Sequence, residues 1–578
     1  MSADSPEPDV LRADSMQAPY YGLPPLDAAS ITNAPVDSEQ RASLLERRHG
    51  YELAICSTNA LLNAGVPINR LPLELLVAIM TWAQVGYAEM GAPLEWLSLL
   101  LVCRYWFFVA SSTPKLWYYL WAGPGLNFLR TGLARSKRTK IFVAVGHPGV
   151  VASALACIAP HAHRIQHLWL YNVPQADATL LLEFIRQPLP ALESFHATVS
   201  KTLLDPSDAL IELTPENHPR VNSVAVNGVI LRPSPVFRQL QTLSFSGCLG
   251  IAPEEPTIGN LLDILKDCVN AVTVHVADVF CKDAYHPPQA LPSGARIELP
   301  KLALCYLNTE TDIFRHILST FIFPAAAHVA MVLAIYDNTV NDELALGLRA
   351  IMPEDRSGLL ALQTATHVEI KADHYQRSVF ASTPSLASQN ILSLLPGISM
   401  TVDAISEALD VEGLEDVQDI CRTMPLETIT ITLESHIARR VNWRTFLAPF
   451  RGLRALTLIG IGRHSDGAAS LLDALASEHP SSDGTPGEGG VLCPELRSLR
   501  IEGFNAQSCN IPATVLGCVM KRMMALGLRS RGLEELGLRL DRFESEEGFE
   551  RQRQWFVPCA RRLVRRVKFE YSLKEPVL

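Results

Sequence analysis

Three histidines crowd the stretch PHAHRIQH, at His161, His163 and His167, and histidine is a common ligand of transition metals. Two of them would hold a metal if they faced the same way. His167, however, falls inside an alternating apolar run that reads as a strand, while the other two sit in its approach loop. Solvated or locally bonded histidines are therefore the simpler reading. A second candidate is LTLIGIGRHSDGAASLLDALASE at 456–478, where a strand, two glycines and a helix are arranged like a dinucleotide-binding turn. After Gly460 and Gly462 that turn needs a third glycine, and Ser465 stands there instead. The chain has no Gly-Lys-Ser/Thr, no GxSxG elbow, no HExxH and no paired Cys-His arrangement. Its twelve cysteines are scattered from Cys56 to Cys559 without CxxC spacing, which fits reduced thiols better than disulfides or zinc. No catalytic residue, metal or cofactor is expected, so the chain reads as a non-enzyme.

Bulk properties narrow the remaining classes. At 578 residues the chain exceeds what one hydrophobic core serves, and at least two units or an extended array are expected. A formal net charge of −10 is modest, and neither a nucleic acid nor a membrane is expected as a partner. The amino-terminal SADSPEPDVLRADS lacks the basic and apolar regions of a secretory signal. The most apolar stretch, 321–336, is short for a bilayer and is interrupted by Pro324 and His328. The expected location is cytoplasmic, nuclear or both. RSKRTK at 135–140 reads as a solvated linker, with a nuclear-import address as the alternative.

The elements that must position these groups fall into two patterns. Residues 1–37 carry six prolines and few large apolar groups and are expected to be a disordered tail. Asp37 and Gln40 resemble a capping box, and the helix formers that follow predict a leading helix within 38–67. Leu71, Leu75, Leu76 and Ile79 then recur at helical spacing behind Pro72. Val102, Trp106 and Val109 share the face of a second helix, and Pro114 opens a third turn bearing Leu116, Trp117 and Trp121. Three short helices carry more apolar surface than they can cover alone, which calls for a partner.

Beyond residue 140, runs of the form apolar-x-x-apolar-x-apolar recur. They include IQHLWL (165–170), LESFHA (192–197), LQTLSF (240–245), VNAVTV (269–274), LPKLAL (299–304), AMVLAI (330–335), LRALTL (453–458), LRSLRI (496–501), LEELGL (533–538) and VRRVKF (564–569). Most successive runs lie 27 to 35 residues apart, the period of leucine-rich repeats. Such strands stack in parallel and bury their inward residues in one continuous core. Irregular repeats are expected over 164–578 after a linker and first cap over 122–163, with a non-repeat insertion open between 330 and 400 and a loop at SSDGTPGEGG (481–490).

INRLPLELLVAIM at 68–80, LLLVCRYWFFVA at 99–110 and TPKLW at 113–117 together resemble the F-box family, in the form common in fungal proteins with a preceding helix. The resemblance spans about 38–121. It implies an α+β multidomain chain, with a three-helix F-box over 68–121 followed by an α/β leucine-rich-repeat solenoid with a curved parallel sheet. In that family the helices dock on a Skp-type adaptor, and through it on a cullin. Carried over by position, Leu71, Pro72, Leu75 and Ile79 supply the first contact surface. Val102, Cys103 and Trp106 form the packed centre, and Leu116 and Trp117 close it. The Gln84-to-Pro93 connection departs from the family pattern by its length.

The expected function is that of a substrate-recognition subunit of a Skp–cullin–F-box ubiquitin ligase, with a non-degradative interaction scaffold as the alternative. The repeats would hold the target. From Ile511 to Leu578 there are 14 Lys and Arg against 9 Asp and Glu, a net of +5 that leaves −15 on the rest. Strand alternation turns Arg566 and Lys568 outward, where they would meet an acidic or phosphorylated target segment; the alternative is a solvated terminal cap.

Overall fold

The capping pair read from the sequence is made: Asp37 Oδ1 accepts the Gln40 N–H at 2.7 Å and opens helix α1 (Ser38–Gly65). The computed structural model describes residues 37–89, 94–200, 210–247, 258–279, 296–309, 311–335, 351–372, 376–383, 397–404, 412–461, 467–479, 490–505, 511–526, 532–541 and 546–572. The expected tail up to residue 36, the end of the 84–93 connection and nearly all of the 481–490 loop lie outside these residues. The chain divides into two units, one of residues 37–83 with Glu95–Ala110, the other of residues 84–89 and 94 with 111–572.

The first unit is helical. Val66 turns extended ahead of Pro67, as a residue before proline must, and a short turn over Pro67–Arg70 follows. Pro72 then offers its carbonyl to the N–H groups of Leu75 and Leu76, at 3.0 and 3.1 Å, and so starts helix α2 (Leu73–Glu89). A tight helical run over Glu95–Leu101 leads to helix α3 (Arg104–Ser112). Leu76, Met80, Trp96, Trp106 and Val109 are the large apolar side chains buried in these elements.

The second unit carries a 17-stranded sheet. Its strands are β1 (Tyr119–Ala122), β2 (Ile141–Val145), β3 (Ile165–Val173), β4 (Ser194–Val199), β5 (Ser223–Asn227), β6 (Thr242–Ser246), β7 (Thr273–Ala277), β8 (Leu304–Asn308) and β9 (His328–Ile335). Then come β10 (His367–Ala372), β11 (Gln376–Ser382), β12 (Gly397–Ala404), β13 (Thr428–Glu434), β14 (Ala455–Ile461), β15 (Ser498–Asn505), β16 (Glu535–Asp541) and β17 (Arg566–Ser572). Chain order equals sheet order except in the middle, where β9 is followed by β12, β11, β10 and β13. Only β11 runs antiparallel to its neighbours. β1 and β17 each pair on one side, so the sheet does not close into a barrel.

Alternation explains the sheet. Leu168, Phe195, Val224, Leu243, Val274 and Cys305 occupy one register row on successive strands, all buried on the face covered by helices and turns. The class is thus α+β, with an amino-terminal helical region and a large, mostly parallel sheet. Three of the expected frames shift: the buried row passes through Val274, Cys305 and Val329, where the sequence pattern centred on Val272, Leu302 and Leu333. The sheet also starts before residue 164, because Leu120 and Val143 stand in the same row as Leu168. Among the described residues no helix is long and apolar enough to cross a membrane.

Candidate docking surface

The helical unit leaves a large part of its apolar surface in solvent. In α2, Leu76 and Met80 are buried, yet Leu75, Ile79 and Trp82, which share another face one and two turns along, are 52%, 39% and 80% exposed. The same division runs through α3 and the residues before it. Trp106, Val109 and Ala110 are buried, whereas Leu101, Tyr105 and Phe108, at helical spacing, all stand exposed. None of the 28 residues of α1 is buried, and its Leu44, Ile55, Leu61 and Leu62 are among the exposed ones. Scattered exposed leucines are ordinary, but this concentration on one unit makes it a candidate interaction surface.

A polar link fixes the geometry beneath that surface. The Trp106 indole N–H donates to Asn69 Oδ1 at 2.6 Å, and Asn69 Nδ2 donates to the Asn63 carbonyl at 2.7 Å. The chain of bonds ties α3, the Pro67–Arg70 turn and the end of α1 together. A cleft of about 670 Å³ lies beside it, lined by Cys56, Asn59 and Asn63 of α1 and by Leu101, Val102 and Tyr105.

The expected docking residues divide accordingly. Pro72, Leu75 and Ile79 are exposed and Leu71 is half-buried. Val102, expected in a packed centre, is 55% exposed; Cys103 is half-buried and Trp106 is buried. Leu116 and Trp117 belong to the second unit and are buried in it. There the Trp117 ring meets Phe128 at 5.9 Å and carries the Arg135 guanidinium 4.6 Å from its centroid, and Leu116 offers its carbonyl to the buried Gln84 amide at 3.0 Å. Sequence reasoning missed Trp82, Leu101 and Phe108. The signal for Trp82 was present in its spacing from Leu75 and Ile79.

In the sheet unit the uncovered face changes character along its length. At the amino-terminal end it is aromatic: Tyr119 meets Phe142 at 4.7 Å, Phe142 meets Trp169 at 4.7 Å and His167 at 5.3 Å, and His196 lies 5.9 Å from Trp169. Burial pushes the Tyr119 hydroxyl up to about 12 and lowers His167 and His196 from their ordinary value, so these rings are neutral at physiological pH. His167 is thus a member of this aromatic row. His161 is half-buried and His163 exposed, and among the described residues no three His, Cys, Asp or Glu side chains converge as a ligand set. The basic hexamer at 135–140 is pinned from below: buried Arg164 donates to Ser136 Oγ at 2.8 Å and to the Thr139 and Leu133 carbonyls at 3.1 and 3.0 Å.

At the carboxy-terminal end the face is charged in both signs. Arg566 and Lys568 are exposed, as alternation required, but Lys568 Nζ lies 3.9 Å from Glu535, which also accepts from Arg500 at 2.9 Å. The bond from Arg500 holds the Glu535 carboxyl below its usual range. Exposed Glu570 follows on β17 itself, so the excess of basic residues in this segment is partly answered on the spot. The glycine turn at 456–478 has a packing explanation at its first position, because a Cβ on Gly460 would stand 2.8 Å from the Phe504 ring; residues 462–466 lie outside the described ones.

No protein family model matches this sequence, and no curated protein matches it significantly.

Proposed function

We propose that the chain is a non-catalytic substrate-recognition subunit of a Skp–cullin–F-box ubiquitin ligase. In this reading the helical unit is an F-box that docks on a Skp-type adaptor, and the sheet unit is a leucine-rich-repeat solenoid that holds a protein target. Proximity is the mechanism: tethering target and ligase raises the effective concentration of the target's lysines, and the chemistry belongs to the partners. The observation that carries the reading is the exposed row of Leu75, Ile79 and Trp82 on a helix whose opposite row is already buried. Burying one such side chain contributes about 1.5–3 kcal/mol, so the three together contribute roughly 5–9 kcal/mol, from which the entropic cost of association is subtracted.

The test uses exposed positions, since substituting buried Trp106 would damage the fold itself. Leu75→Asp with Ile79→Asp should leave the circular dichroism and melting of the full chain unchanged and weaken capture of purified Skp-type adaptor at least tenfold. Unchanged capture by the folded variant rejects the assignment. Co-elution with adaptor but never with cullin would replace the ligase by a non-degradative scaffold.

A further inference from the structure

In the sheet unit, a cleft of about 900 Å³ opens among the segments that connect β12 through β15. Three guanidinium groups line it, Arg422 from the connection between β12 and β13, and Arg444 and Arg451 from the connection between β13 and β14, each exposed. Elsewhere in this part of the sheet unit arginines are matched: Arg454 pairs with Glu427 at 2.7 Å, Arg500 with Glu535 at 2.9 Å, and Arg356 with Asp419 at 2.6 Å. Among the described residues none of the three cleft arginines makes an ion pair. Among the described residues Asp419 is the one carboxylate on the lining, and Arg356 already holds it through both its side chain and its carbonyl.

The back wall adds to the positive field. Leu492 lines the cleft, and its carbonyl accepts from Arg522, a side chain only 3% exposed whose other contact is the Cys493 carbonyl. Carbonyl dipoles satisfy part of that guanidinium without cancelling its charge. On the rim, Asn442 spends its Oδ1 on the Thr445 N–H at 3.2 Å, which leaves its amide nitrogen to donate.

We propose that this cleft binds a small molecule bearing two or more phosphate groups. Guanidinium forks match phosphate oxygens in bidentate geometry, and three of them balance more charge than a single phosphate carries. The volume lies within the range of small-molecule sites. The proposal concerns the sheet unit alone and stands whether or not the helical unit docks an adaptor.

Isothermal titration of the full chain with inorganic tripolyphosphate tests it. The wild type should bind, Arg444→Glu with Arg451→Glu should lose at least tenfold in affinity, and Arg444→Lys with Arg451→Lys, which keeps the charge but not the fork, should lie between them. Arg566→Glu with Lys568→Glu, on the edge strand β17 and outside the cleft lining, should bind like wild type. Should the Glu pair fail to fold, the Lys pair decides, because wild-type affinity in it removes the role of the forks. Absence of tripolyphosphate binding by the folded wild type overturns the proposal, as does an equal loss in the Arg566, Lys568 variant, which would mean diffuse attraction. Binding of a phosphothreonine peptide pool without binding of tripolyphosphate would overturn it in favour of a protein ligand.

Discussion

Trp106 shows how one side chain can support a candidate docking surface without being part of it. Its indole is buried and its N–H is spent on Asn69, so its contribution is to hold α3 against the turn from which α2 departs. Trp106→Phe keeps most of the ring volume and leaves Asn69 Oδ1 without its donor, a loss of about 1–2 kcal/mol. Hydrogen exchange of the α3 amides should accelerate accordingly, and under the proposed function adaptor capture should fall far less than with Leu75→Asp. His218 is a second residue whose state matters. It is fully buried, accepts from the Thr214 N–H at 3.1 Å through Nδ1, and bonds the Ile185 carbonyl at 3.0 Å through Nε2. That arrangement requires a neutral ring, and burial lowers its pKa below the ordinary value of 6.5. The unfolded chain then takes up the proton first, so stability is full above pH 6.5 and falls as pH drops through the folded pKa. Chemical denaturation at pH 7.5 and pH 5 should show this decline. His218→Asn should cost about 1–3 kcal/mol at pH 7.5 and flatten the acid slope in part, since His167, His196, His275 and His367 are shifted the same way.

Among the elements, the strand frames were legible wherever leucine marks the buried row, as at Leu243, Leu456, Leu499 and Leu536. They slipped where alternation runs on past the motif: Val272, Val274 and Val276 offer two equivalent frames, and pairing with β6 selects the one containing Val274. At β8 the row falls on Cys305, a residue the leucine pattern does not recognise, and β1 was hidden because Leu120 stands among aromatic residues that read as helix. The helical unit was legible in its order but not in its partition. Periodicity marks which residues share a face, and α2 has two apolar faces; only packing decides that Leu76 goes in and Leu75 stays out. Backbone demands were the least visible. Gly503 has φ +77° where the β15 register slips past β16, and a Cβ there would stand 2.4 Å from the Gly460 carbonyl oxygen. Gly503→Ala should therefore destabilise by about 2 kcal/mol or more, read as a lower denaturation midpoint.

Across the whole molecule, a sheet in which each strand touches only its two neighbours has stability that sums from unit to unit. The end strands β1 and β17, each paired on one side, should exchange their amides faster than β13 or β14, and a Leu456→Ala cavity, costing about 2–5 kcal/mol, should loosen nearby strands before distant ones. The exception to this linear logic is the middle of the sheet. There β12 returns to pair with β9, β10 pairs onward with β13, and antiparallel β11 joins the two, so three strands are laid down in reverse of their chain order. On either side of that splice, one strand with its connection is a modular piece that gene duplication could copy or delete and still leave a continuous stack. Within it no such piece exists, because removing any one strand strands the other two. Length variation among descendants of this chain should accordingly accumulate in the flanking runs, with the spliced centre inherited as an indivisible block.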